Sequence, residues 1–123
     1  MAKQRLVPCV IHIPTQYNDG TEVESGKLAH FLDVFDRQFN GCTVMGIVEG
    51  HWCGTTEPMQ RVEVSIPKDR IALFESIAKE IGRATRQQAI YVVINFQADA
   101  RIIELFDDEA DDQGSSQELG GSA

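Results

Sequence analysis

The chain has 123 residues, 42% of them hydrophobic and 24% charged, with a formal net charge of −8; that is enough for one domain with a modest core, and no apolar run nears the ~20 residues of a membrane helix. Six of its nineteen acids (Asp107, Asp108, Glu109, Asp111, Asp112 and Glu118) lie beyond Phe106, where there is no lysine or arginine, leaving thirteen acids against eleven bases in residues 1–106. A body that nearly neutral, without a basic stripe or an aromatic RNA-binding motif, argues against nucleic acid as a direct ligand, and acid confined to a tail is not the spread surface acid of a DNA mimic.

Residues 6–13 alternate as a first strand, with Val7, Cys9, Ile11 and Ile13 on one face and Leu6, Pro8, Val10 and His12 on the other. A polar loop follows and ends in the turn signal Asn18-Asp19-Gly20. Thr21 and Glu24 have capping-box spacing before a first helix whose apolar stripe is Leu28, Phe31, Leu32, Phe35 and Phe39. Asn40-Gly41 ends it with a pair that tolerates a left-handed cap.

Residues 43–52 form a second strand. Simple alternation puts Val44, Gly46, Val48, Gly50 and Trp52 on one face and Met45, Ile47, Glu49 and His51 on the other. Two glycines on one strand face point to a bulge or to close approach by another group. A short turn over residues 54–58 leads to a third strand, 60–66, with Val62, Val64 and Ile66 inward. Pro67 opens a second helix at a position that needs no N–H. Ile71, Phe74, Ile77, Ala78 and Ile81 make its buried stripe, and Gly82 marks its end. Residues 89–96 make a fourth, strongly apolar strand, and 100–106 a candidate fifth, edge strand or a tie across the fold.

This order predicts an α+β chain: a ferredoxin-like βαββαβ sandwich, an antiparallel sheet with two helices on one face and an extra C-terminal edge strand. Residues 1–106 are the single domain, and 107–123 an acidic, Gly/Ser-rich tail too polar to bury, read as disordered. The face without helices would carry Val10, Met45, Ile47, Tyr91 and Val93, an apolar patch of the kind that marks an interface. A homo-oligomer, dimer or trimer, is the expectation.

Chemistry-bearing residues are few. His12, Tyr17, His51, Trp52, Cys53 and Tyr91 belong to one end of such a sheet and are expected to gather at its rim. Cys9 and His12, three apart on a strand, face opposite sides and cannot chelate one ion together; no metal and no cofactor are expected. Glu49, on a largely apolar strand face, is a candidate base or a partner for Arg61, and His51 is its neighbour in any rim site. Arg83 and Arg86, after the second helix, are two cations suited to an anion. The three cysteines at irregular spacing read as reduced thiols in a cytoplasmic protein. The N-terminus has basic residues but no cleavage pattern, which reads as no signal peptide.

The runs Gly41-Cys42-Thr43-Val44, Gly50-His51-Trp52, Val62-Glu63-Val64-Ser65-Ile66-Pro67 and Gln88-Ala89-Ile90 resemble a small bacterial ferredoxin-like family of unknown function. In that family a Gly-x-Thr-Val start, a Gly-x-Trp strand end and a Gln before the last strand recur. The resemblance covers about residues 10–96 and implies fold rather than activity. The spacing from Thr43 to Gly50 is one residue longer here, which implies a bulge or a register shift. Thr43-Val44, Gly50 and Ile66-Pro67 also stand in the order found in PII-like signalling proteins, trimeric sensors of adenine nucleotides. That similarity implies an intersubunit nucleotide site with Arg83 and Arg86 on the phosphates.

The leading reading is a non-enzymatic, homo-oligomeric protein-interaction module that assembles through its open sheet face and holds an unidentified protein partner. The alternative is a PII-like sensor binding a nucleotide or other anion, with Arg83, Arg86, His51, Trp52 and Tyr91 as ligand contacts. A second alternative is a small enzyme with a rim site at His51 and Glu49.

Overall fold

The computed structural model describes residues 5–101 and 103. The expected tail, 107–123, and most of the candidate fifth strand lie outside that range. The elements are β1 (Leu6–Pro14), α1 (Ser25–Phe39), β2 (Thr43–Trp52), β3 (Thr55–Pro67), a 3₁₀ turn (Lys68–Arg70), α2 (Ile71–Ala84) and β4 (Val92–Ile94). The chain is therefore α+β. Its four strands form one antiparallel sheet in the spatial order β2-β3-β1-β4. Among the described residues no helix is long and apolar enough to cross a membrane.

Strict alternation makes β1 two-sided. Val7, Cys9, Ile11 and Ile13 are buried on one face, where they meet Val62, Val64 and Ile66 of β3 and both helices. α1 offers this face Phe31, Phe35 and Phe39, spaced by four, and α2 offers Ile71, Phe74, Ala78 and Ile81. Phe35 and Phe74, both fully buried, lie with ring centroids 6.1 Å apart, and Phe39 packs edge-on to Phe74 at 6.5 Å. Each such ring contributes roughly 1.5–3 kcal/mol on burial, so these aromatics, set by helical periodicity, anchor the helices to the sheet. α1 stops at Asn40, whose φ of 65° is the left-handed cap.

Several local readings are corrected. Thr21 and Glu24 form no capping box: Glu24 occupies the N-cap position without a side-chain cap bond, and Thr21 bonds Asp19 instead. Pro67 closes β3, and α2 begins at Ile71 after the 3₁₀ turn. β3 starts earlier than alternation suggests, at Thr55, because its hairpin with β2 keeps pairing down to Trp52 and Thr55 at the turn. β4 is three residues long rather than eight, although Tyr91 and Asn95 still exchange backbone bonds with β1. The described start of the candidate fifth strand makes a single bridge, Leu6 to Ala100.

The largest correction lies in β2. Val44 pairs with Val62 but Gly46 pairs with Arg61, so Met45 is an extra residue and the strand carries a β-bulge. Gly46 takes φ +106°, a backbone that a side chain resists. The inserted residue reverses the parity of everything after it. Gly46, Val48, Gly50 and Trp52 lie on the open face with Arg61 and Met59, while Ile47, Glu49 and His51 lie on the helix side. Ile47 is therefore not on the face of Val10, Tyr91 and Val93, and Met45 has no cross-strand partner.

Candidate functional site

The residues expected at one rim are divided among three places. The first is the end of the β2–β3 hairpin. Cys53 and Gly54 make its turn with φ of 49° and 81°, the signs of a type I′ turn, whose twist suits a hairpin. Glu49 and His51, two apart, share a face, and Nε2 of His51 lies 2.7 Å from Oε2 of Glu49. Nδ1 of the same ring is 3.3 Å from the hydroxyl of Thr56, its cross-strand partner. The imidazole is thus held at both nitrogens, in a hydroxyl–imidazole–carboxylate row. Both ends of the Glu49–His51 pair are about two-thirds exposed (66% and 68%), where water screens charge and such a contact contributes little. Ile47, Val48, Glu49, Thr56 and Pro58 line an open groove alongside. Trp52, 68% exposed, stands on the opposite face of the strand.

The second place is the open face of the sheet. His12 and Arg61 are directly paired across β1 and β3, and the Arg61 guanidinium donates to Nε2 of His12 at 2.7 Å. Tyr91 packs its ring against His12, with centroids 4.7 Å apart, and its carbonyl accepts the His12 N–H. Partial burial, and then the Arg61 charge, push the His12 pKa down. Val10 and Val93 are adjacent in register. Val10 is only 7% exposed, so of the expected apolar patch this face offers chiefly Tyr91, beside the polar His12 and Arg61.

The third place joins the loop before α1 to the end of α2. Tyr17 is buried, and its hydroxyl donates to Glu24 and accepts from Nζ of Lys27 at 2.9 Å. Lys27 also donates to the carbonyl of Ala84 at 3.1 Å, which satisfies the end of α2. The Tyr17 bond, before other causes, lowers the Glu24 pKa and raises that of Lys27. Arg86 stacks on the Tyr17 ring, its guanidinium carbon 4.6 Å from the centroid. Arg83 instead pairs with Glu80 at 2.9 Å. The two arginines expected to share an anion therefore have separate partners.

Glu49 partners His51 rather than Arg61. Periodicity could not reveal the His12–Arg61 pair, because alternation puts both residues off the core face without fixing which β3 residue faces His12. Among the described residues no group of three or more His, Cys, Asp or Glu could hold a metal ion. Cys9 is fully buried, and burial pushes its thiol up to about 11. No protein-family model, curated protein or solved structure matches the chain.

Proposed function

We propose that this chain is a ferredoxin-like module that works by assembling with copies of itself and holding a further protein, rather than by catalysis. The strand order β2-β3-β1-β4, with both helices on one face, is compatible with that architecture. One observation carries the reading. Four of the large exposed apolar residues, Val44, Met45, Ile47 and Trp52, all fall on β2, the edge strand. An edge strand offers unpaired backbone donors and acceptors as well as side chains, so apolar residues concentrated there favour a contact with another chain. The assembly surface is thereby assigned to the edge, with Tyr91 and Val93 of the open face as a lesser contribution.

Native mass spectrometry of the full chain over a dilution series tests the reading. Oligomers are expected, and Ile47→Asp, which puts a charge into the contact, is expected to lower their fraction while leaving the circular dichroism unchanged. A chain that stays monomeric throughout the series overturns the reading.

A further inference from the structure

We propose that two copies of the chain join antiparallel along β2, about a two-fold axis at Gly50, so that Glu49 of each copy pairs with His51 of the other. This rests on the assembly reading above and names its seam.

The backbone of β2 decides which residues can pair outward. The carbonyl of Pro58 accepts the Thr15 N–H, so the polar backbone of Pro58 faces β1 and not β2. Glu49, opposite Pro58, is therefore in a non-hydrogen-bonded pair, and its own N–H and C=O point to the free edge. Alternation extends this to Ile47 and His51, while Val48, Gly50 and Trp52 bond inward to β3. Among the described residues no strand lies beyond β2. The strand contains no lysine and no proline, two devices that commonly guard an edge.

A two-fold antiparallel seam pairs residues symmetrically about its centre, and the sequence discriminates between centres. A centre at Glu49 sets that carboxylate against its own copy. A centre at Val48 sets Glu49 against Ile47 and brings His51 to the bulge residue Met45. A centre at Gly50 sets Glu49 against His51 twice and Val48 against Trp52 twice. In this register Glu49 and His51 form the hydrogen-bonded pairs, which matches their outward backbone groups and gives four backbone hydrogen bonds. Val48 and Trp52 fall in non-hydrogen-bonded pairs, where side chains approach most closely.

The two faces of the seam are chemically distinct. On the helix side, the Glu49–His51 pair already formed in each copy meets its symmetry mate as an alternating row of acid and imidazole. On the open side Val48 and Trp52 flank Gly50, over which Met59 lies so closely that a Cβ on Gly50 would collide with its terminal methyl. Met59 thus supplies the apolar cover that Gly50 lacks, and Gly50 brings no side chain of its own to the axis. The occupant is a second copy because the charge and apolar pattern of 48–52 is complementary to itself when reversed.

Glu49→Pro gives the decisive variant. Proline removes an N–H that faces the free edge, which the monomer does not use, so the fold is retained. By native mass spectrometry the wild type is expected at the mass of two chains, and Glu49→Pro at the mass of one with unchanged circular dichroism. A second design does not depend on how that variant folds. In a Cys53→Ser background, Val48→Cys with Trp52→Cys is expected to give a covalent dimer under mild oxidation, and Val48→Cys alone none. Positions 48 and 52 are about 13 Å apart on one strand, too far to bond within a chain. A wild type with an odd subunit number overturns the two-fold seam, as does an oligomer that survives Glu49→Pro or a double-cysteine chain that gives no covalent dimer. All three leave the assembly reading standing, whereas a monomeric wild type removes both.

Discussion

Arg61 donates a hydrogen bond to Nε2 of His12, 2.7 Å away and directly opposite across β1 and β3. A ring nitrogen that accepts from a guanidinium carries no proton, so His12 is neutral here and its proton sits on Nδ1. The stack with Tyr91 holds the ring in place from the other side. A half-buried arginine thus has a neutral partner, and protonating that partner would set two cations against each other.

This makes stability pH-dependent with a defined sign. Burial, then Arg61, lower the His12 pKa from its ordinary 6.5. Above 6.5 the ring is neutral both folded and unfolded, so nothing is lost. As pH falls through 6.5 the unfolded chain takes up the proton first, and stability declines until the folded ring also protonates. Urea midpoints measured from about pH 7.5 to about 5.5 are expected to fall more steeply for the wild type than for His12→Gln, which keeps an acceptor without the titration. Parallel profiles would refute the account. Asp19 and Glu24, whose pKa values are also lowered, act only at more acidic pH, where the carboxylates of the unfolded chain protonate.

The three thiols should separate by rate. Cys53 is exposed at the hairpin turn, Cys42 is half-buried, and Cys9 is fully buried. Burial and then Glu75 push Cys9 up to about 11; burial and then Asp36 raise Cys42. The thiolate is the reactive form. A colorimetric thiol reagent on native protein is expected to modify Cys53 quickly, Cys42 slowly and Cys9 only after denaturant is added. Equal rates for all three would mean that the core around Cys9 opens readily.

What the sequence made legible was whatever depends on periodicity within one element. The alternation of Val7, Cys9, Ile11 and Ile13 and the spacing of Phe31, Phe35 and Phe39 mark faces that bury because a strand repeats every two residues and a helix every 3.6. The left-handed stop at Asn40 is equally local. The face of Ile47 was not legible, because one extra residue at Met45 reverses the parity of the rest of β2. Two glycines announced some irregularity without placing it. The rim residues divide into separate groups for a different reason: sharing an end of the sheet is not sharing a site, since β3 separates β1 from β2 and puts them about 10 Å apart. Thr21 and Glu24 fit a capping box because that pattern is local, yet in the fold the Tyr17 hydroxyl donates to the Glu24 carboxylate and Thr21 bonds Asp19.

Gly46 is the residue on which the bulge depends. Its φ is +106°, and a Cβ added there would have no atom within 4 Å, so a side chain would meet open space and only the backbone objects. Gly46→Ala is therefore expected to cost about 1–3 kcal/mol, read from denaturant unfolding. Gly26, in the first turn of α1 with equally open surroundings and no positive φ, provides the contrast, since Gly26→Ala should stabilise by roughly 0.5–1 kcal/mol. If the two variants moved stability in the same direction, backbone strain would not be what Gly46 relieves.

Among the described residues Thr85 is the buried polar one, with no exposed surface. Oγ1 donates toward the carbonyls of Ile81 at 2.8 Å and Gly82 at 3.2 Å, which also accept the backbone N–H groups of Thr85 at 3.0 Å and Gln87 at 2.9 Å in the last turn of α2. Valine has the same shape but no hydroxyl, so Thr85→Val removes the side-chain bond to these carbonyls, which keep their backbone donors, without opening a cavity. A loss of about 0.5–1.5 kcal/mol, the net worth of one hydrogen bond, is expected. Phe74→Ala, which empties the centre of the aromatic cluster, should cost more, about 3–5 kcal/mol. The ordering is the informative part. Were Thr85→Val neutral while Phe74→Ala kept its cost, the backbone donors of Thr85, Arg86 and Gln87 and the Lys27 bond to Ala84 would suffice to hold the end of α2, and the threonine would serve only to fill space.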